Sequence, residues 1–239
     1  MKKVELLHCM GDDLMIVNAA RVSFNRQSNW GDGEKGKINE KDVSLINYLS
    51  KNGHWTPFAH PQIQFRIKLP IIICRQWYRH TIGFLRSEVS RRYVQYEPEF
   101  FAPESWRQSS PQIKQGSLSK EVADPEACSQ AYENLCKNAL ETYNFLLKQG
   151  VAPEQARMAL PQSMYTEFVE TASLYAYARF CRQRLDSHAQ KEIRDYAKEI
   201  SDIIAQKFPV AWKALMQGVL VTEPQQASGK EASHQVASQ

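Results

Sequence analysis

Gln62-Ile63-Gln64-Phe65-Arg66-Ile67-Lys68-Leu69-Pro70 is the stretch on which the fold turns. Ile63, Phe65, Ile67 and Leu69 alternate with Gln64, Arg66 and Lys68, the period of a strand with one buried face. Pro70 then suits the first turn of a helix, where its missing N–H costs nothing. Ile71 to His80 continues as that helix. Upstream, Lys3 to Cys9 reads as a strand and Asp13 to Val22 as a helix. Glu40 to Lys51 reads as another, with Val43, Ile46 and Leu49 on one side and Gly53 ending it. Downstream, Arg92 to Gln95 reads as a strand returning toward the first, and Ser163 to Thr171 as an extended segment. Pro125 to Gln149 is a long amphipathic helix closed by Gly150, and Pro153-Glu154 opens the next. Ala172 to Arg184 and Ala189 to Lys207 are helical, the latter with Ile193, Tyr196, Ile200, Ile203 and Ile204 along one face.

These elements describe an α+β chain, a twisted antiparallel sheet flanked by helices. Ser28 to Asn39 is a loop, and the polar stretch Glu97 to Asp124 is a surface excursion. No linker divides the body, so residues 1–222 read as one domain. The segment 223–239, rich in Gln, Ser and Ala without apolar anchors, reads as a disordered tail.

Bulk composition narrows the function classes. A chain of 239 residues can bury a full core, and 43% hydrophobic with 23% charged residues suits a globular protein in water. The longest apolar run, Leu69 to Cys74, is too short to span a bilayer. Met1 to Leu7 carries no signal-peptide pattern, so a cytoplasmic location is expected. Five cysteines (Cys9, Cys74, Cys128, Cys136 and Cys181) form no CxxC pair and read as small hydrophobes in a reducing compartment. His54, His60 and His80 lack zinc-ligand spacing, so no metal is expected.

The net charge of +4 is modest, yet it is unevenly placed. Arg75, Arg79, Arg86, Arg91 and Arg92 crowd one stretch, and Arg179, Arg182 and Arg184 another. Two such clusters suit anionic ligands in defined pockets better than a long polyanion. In Arg75-Gln76-Trp77-Tyr78-Arg79-His80, helical spacing makes Arg75 and Arg79 neighbours, and likewise Gln76 and His80. Glu88, Ser90, Arg91 and Arg92 follow. Backbone N–H groups, a hydroxyl and guanidinium groups there suit a nucleoside monophosphate. A second group is Gln155-Ala156-Arg157. A third is Arg184-Leu185-Asp186-Ser187-His188, where the helix either continues or breaks at Asp186 and Ser187.

Arg79-His80-Thr81, leading to Ser90 and Arg92-Tyr93, resembles the signature of flavin-dependent thymidylate synthases. Further blocks match in order: Met10 to Leu14 with Ala19 to Phe24, His54 to His60, Ala156-Arg157 with Leu160-Pro161, and Asp186 to Gln190. The resemblance implies that Gln76, Trp77, Tyr78, Arg79, Glu88, Ser90, Arg91, Arg92, Arg157 and Arg184 surround dUMP. Arg184 is then the catalytic group, facing the uracil and stabilising charge that develops on the ring. It also implies FAD held by Ser23, Thr56, Arg79, His80, Thr81, Glu88, Ser173, Tyr175, Arg179 and His188. NADPH and 5,10-methylenetetrahydrofolate act as co-substrates, and the site is assembled in a homotetramer. No cysteine nucleophile is implied.

The chain departs from that pattern in places. Thr81 stands where the triplet has arginine, and one extra residue precedes Ser90, which requires the turn Phe84 to Ser87 to be rebuilt. Ala59 replaces an acidic residue. Ser173, Tyr175 and Arg179 occupy positions of an Asn-x-Arg…Asn element. Two other function classes fit the composition. Arginines interleaved with Trp77, Tyr78, Phe84 and Tyr93 resemble a nucleic-acid-binding module, although the balanced charge argues against nucleic acid. A flavin oxidase that ignores nucleotides is the other.

Overall fold

The computed structural model describes residues 3–31, 37–109, 111 and 116–217. The tail expected from Glu223 lies outside them. In chain order the elements are β1 (Val4–Met10), α1 (Asp13–Arg21), α2 (Glu40–Lys51), α3 (Thr56–Ala59), β2 (Gln62–Pro70), α4 (Ile71–Trp77) and β3 (Phe84–Glu88). They continue with α5 (Pro125–Lys148), α6 (Pro153–Ala156), β4 (Tyr165–Ser173), α7 (Leu174–Arg184), α8 (Lys191–Lys207) and α9 (Pro209–Leu215). The four strands form one antiparallel sheet in the order β1-β2-β4-β3. The α+β reading stands.

The Gln62 to Leu69 alternation has the consequence it predicts. Ile63, Phe65, Ile67 and Leu69 are buried on one face, and on β4 the same face carries Thr166, Phe168, Glu170 and Ala172. The two strands pair along nine positions, from Gln62 opposite Ser173 to Pro70 opposite Tyr165. A large aliphatic or aromatic side chain buried this way contributes about 1.5–3 kcal/mol. Helices α1, α2, α7, α8 and α9 supply most of the rest of the same core, with Val4 of β1, Phe58 of α3 and Ile73, Cys74 and Trp77 of α4.

Two strand-then-helix junctions flank the centre of the sheet. At the first, β2 runs into α4 through Pro70. The free N–H groups of Ile71 and Ile72 are met by the carbonyls of Met164 and Gln162, at 3.0 and 2.9 Å. At the second, β4 runs into α7, and the Ser173 hydroxyl caps the helix by accepting from the Ala176 N–H.

Three sequence expectations are corrected. Arg92 to Gln95 is not a strand, because Ser90 O accepts from the N–H groups of both Tyr93 and Val94 and turns the chain. The strand lies upstream, at Phe84 to Glu88, so the stretch expected to be a rebuilt turn is instead the edge strand β3. The helix predicted to reach His80 stops at Trp77, leaving Arg79 and His80 beyond its end. Helix α9 was not anticipated. Its first N–H groups, those of Val210 and Ala211, are capped from a distance by the buried carboxylate of Asp13, at 3.0 and 2.9 Å.

The 97–124 excursion is fastened where it is described. Phe101 N–H reaches Ser163 O, Tyr165 N–H reaches Glu99 O, and the Trp106 indole donates to Ser129 on α5.

Candidate active site

Three short pieces meet at the C-terminal end of α4: the segment Gln76 to Gly83, the last turn of α7, and the start of α8. Helix α4 ends as Tyr78 N–H bonds Cys74 O, and the chain then turns through Gly83 at φ +83°. A side chain at Gly83 would meet the Ala176 methyl at 3.1 Å, so this turn packs closely on α7.

From α7, Arg184 reaches back to that turn. Its Nε donates to His80 Nε2 at 2.9 Å, and its Nη2 donates to Gln76 O at 3.1 Å. A guanidinium can only donate, so His80 Nε2 must carry a lone pair and the ring proton sits on Nδ1. Burial, reinforced by the charges of Arg184, Arg86 and Arg179, holds His80 down to about 4. The imidazole is therefore neutral at physiological pH. Among the described residues these two contacts leave three of the five Arg184 N–H donors, two on Nη1 and one on Nη2, and the Nη2 proton lies parallel to one Nη1 proton as a planar donor pair.

The turn is anchored from beneath. Glu170 is fully buried on β4 and takes hydrogen bonds from the Trp77 indole and from Arg86 Nε. Arg86 Nη2 also donates to His80 O at 2.6 Å, and its guanidinium lies over the rings of Tyr78 and Phe84. Burial raises the Glu170 carboxyl above its ordinary range, while Arg86 and the indole oppose that shift.

Beside the turn, Trp55 and Tyr175 bring their rings to 5.9 Å, tilted by 33°. Thr56 starts α3 next to Trp55. Arg179 stands one turn after Tyr175 on α7 and is exposed. Partly exposed aromatic rings next to an arginine that has no ion pair among the described residues suit a heterocycle joined to a phosphate ester. Arg79 is likewise exposed and makes no hydrogen bond or ion pair with the described residues. His188 is open to solvent, its Nδ1 2.9 Å from Asp186. The break at Asp186 is real, since α7 ends at Arg184.

A separate cluster lies beyond the far end of β3. Arg92 Nε stands 3.9 Å from the Glu154 carboxylate, and Arg157 Nε donates to Glu154 O at 3.3 Å. Ser90 Oγ accepts from the Arg92 N–H. A cavity of about 370 Å³ opens here between Arg92, Tyr93, Tyr143 and Pro153. Glu88, at the last position of β3, takes a hydrogen bond from Thr166. Five residues of strand, roughly 3.3 Å each, separate this cluster from the Gln76–His80–Arg184 group.

Several expected ligand contacts are placed otherwise. Trp77 is wholly buried and presents no surface to a ligand. Arg91 is also buried, with its guanidinium on Tyr96 O and over the Tyr96 ring. Tyr78 turns its hydroxyl inward, out of solvent. The Ser173 hydroxyl is engaged as the α7 cap. Ser23 sits on an exposed turn after α1, and no hydrogen bond joins it to α7 or to the 78–83 turn. Thr81 is exposed beside His80. From the sequence, Arg86 reads only as one of the first arginine cluster and Gln190 only as the end of a matching block, neither with a role of its own, and Glu170 is passed over. The signal for Arg86 and Glu170 was a charged residue standing at an inward position of a strand.

An antiparallel sheet packed against helices, carrying a guanidinium locked against a neutral imidazole, describes the fold and the centre of the candidate site. Residues 5–210 match the family described as "Thymidylate synthase complementing protein". The flavin-dependent thymidylate synthase of Thermosipho africanus is 39% identical over 217 residues, covering 90% of each chain. That of Thermus thermophilus is 38% identical, covering 91% of this chain and 76% of its own. Among solved structures, the UMP/dUMP methylase PolB from Streptomyces cacaoi, bound with 5-Br dUMP, superposes with a TM-score of 0.77 at 28% identity. The match covers 92% of this chain and 97% of PolB. The chain belongs to the flavin-dependent thymidylate synthase family. Among its described residues, no helix is long and apolar enough to cross a membrane.

Proposed function

We propose that this chain, a cytoplasmic enzyme whose domain extends to residue 222, methylates dUMP at C5 to give dTMP, using FAD, 5,10-methylenetetrahydrofolate and NADPH. The observation that carries the reading is Arg184, fixed by His80 and Gln76, with its remaining donors unengaged among the described residues. Uracil C5 becomes nucleophilic only when electron density moves into the ring. A guanidinium at the N3/O2 edge stabilises that charge, and its rigid mounting removes the cost of reorganising at the moment of reaction. His80, being neutral, adds no second positive charge to compete for the base.

The described residues fit FAD. Trp55 and Tyr175 offer rings for the adenine, and the exposed Arg79 and Arg179 offer positive charge for the pyrophosphate, with Thr56, Thr81 and His188 alongside. When bound and reduced by NADPH, the flavin would supply the hydride equivalent that takes the transferred one-carbon unit to the methyl level. Three of the five cysteines are poorly suited to act as a nucleophile. Burial pushes the Cys74 thiol up to about 12 and raises Cys181 and Cys9 as well, so these three sulfurs stay protonated.

The phosphate of dUMP is assigned to Ser90, Arg92 and Arg157. Their separation from Arg184 by the length of β3 favours a site in which one subunit contributes the arginine pair and another the Arg184 group. Exposed Ile82 and Leu85, next to and on the unpaired edge strand, suit burial between subunits. A homotetramer provides that arrangement.

The test is an absorbance spectrum of the purified protein, followed by tritium release from C5-labelled dUMP with NADPH and methylenetetrahydrofolate. UMP is assayed beside it, because PolB is a methylase of both nucleotides. The reading predicts bound flavin and dUMP-dependent tritium release. Flavin bleaching by NADPH that ignores dUMP, with no tritium released, would establish the oxidase instead. Steeply salt-dependent oligonucleotide binding by a colourless protein would establish the nucleic-acid module.

A further inference from the structure

A chain of four side chains leads from the 97–124 excursion into the site. Arg107 donates to Glu192 at 2.8–3.0 Å, Gln190 Nε2 donates to Glu192 Oε2 at 2.8 Å, and Gln76 Nε2 donates to Gln190 Oε1 at 2.5 Å. Each direction follows from the one before it. Burial pushes the Glu192 carboxyl up, but hydrogen bonds from its own N–H, Gln190 and Arg107 outweigh that and hold it ionised. An ionised carboxylate only accepts, so Gln190 must turn its NH₂ toward it. The Gln190 oxygen is then left facing Gln76, which must answer with its own NH₂. Gln76 Oε1 receives no hydrogen bond from any described residue.

We propose that Glu192, held by Arg107, is a positioning residue that sets the polarity of Gln76, so that Gln76 meets the bound nucleotide as a hydrogen-bond acceptor. This inference rests on the nucleotide reading above. It specifies that the partner of Gln76 on the nucleotide is a donor, either the N3–H of the base or the 3′-hydroxyl of the sugar. A free glutamine amide accepts or donates equally well after a half-turn. The carboxylate two links away removes that freedom.

The experiment measures dUMP binding to the FAD-loaded protein by calorimetry, for the wild type, Glu192→Gln and Glu192→Asp. Glutamine at position 192 can donate as well as accept, so the orientation is released, whereas aspartate keeps the acceptor. A weakening of roughly three- to tenfold in Kd is expected for Glu192→Gln. Glu192→Asp should recover most of it, and kcat at saturating dUMP should change much less than KM. Two analogues then locate the donor. If the N3–H is the partner, the penalty of Glu192→Gln disappears with dCMP, whose N3 bears no proton. If it is the 3′-hydroxyl, the penalty disappears with 2′,3′-dideoxyuridine monophosphate. A penalty that persists with both analogues, equal loss in the Asp variant, or no penalty at all overturns the inference. Failure of the wild type to bind dUMP overturns the nucleotide reading instead.

Discussion

Arg184 and His80 are 104 positions apart in sequence, yet the Nε of one donates to the Nε2 of the other at 2.9 Å. That single contact fixes the tautomer of the histidine and the plane of the guanidinium. It also defines which protons of Arg184 remain for a substrate.

Replacing Arg184 tests the assignment of charge stabilisation. Arg184→Ala should bind FAD normally and form no detectable dTMP. Arg184→Lys keeps the charge but not the fork, and it should lose about a hundredfold or more in kcat, as for removal of a preorganised donor. Flavin absorbance separates the two properties, and wild-type turnover in the alanine variant would end the assignment.

Acid should unfold the protein partly through His80. Its folded-state value lies near 4, below the ordinary 6.5. Between those limits the unfolded chain takes up a proton that the folded chain refuses, so this contribution is complete above about pH 6.5 and is lost as the pH falls toward 4. Urea denaturation across that window should show stability rising with pH. The slope should flatten in His80→Gln.

The Arg86–Glu170 pair predicts a stability effect without direct participation in chemistry. Arg86→Ala strands a fully buried carboxylate and should cost about 3 kcal/mol or more. Because the stranded carboxyl then titrates above its unfolded value, the deficit should shrink as the pH is lowered. The double replacement Arg86→Met with Glu170→Leu removes both charges and should recover most of the stability in a urea titration.

Thiol chemistry offers a further check. Cys74 and Cys181 are buried, with thiols raised well above their ordinary value, so neither should react with a mild alkylating agent at pH 8 in the folded protein. Substituting all five cysteines by Ser or Ala should preserve dTMP formation, although the fully buried Cys181 position should lose stability through the altered packing. An inactive cysteine-free protein that still folds and holds FAD would contradict the mechanism.

The strands and helices that were legible share one property: a single dominant period. Gln62 to Leu69 alternates cleanly, and Glu40 to Lys51 has one apolar side and a capping Asn39, so local pattern and tertiary burial agree. Strand β3 was hidden because its inward positions are Phe84 and Arg86. An arginine facing inward reads as a break in the pattern until Glu170 is seen opposite it, in register across the sheet. Helix α9 was hidden for a related reason, since its N-terminal cap is Asp13, from the other end of the chain.

The amino-acid order alone determined the α+β architecture, the two arginine clusters and the family resemblance, because each is written in residues close together along the chain. Tertiary structure decided which of those residues meet. Gln76 and His80 were expected to pair along a helix, but the helix ends at Trp77, and both instead contact Arg184. Trp77 and Arg91, expected at a ligand, are buried. Contacts of this kind depend on strand register and on where a helix stops, and those are settled by the burial of the whole core rather than by any local stretch.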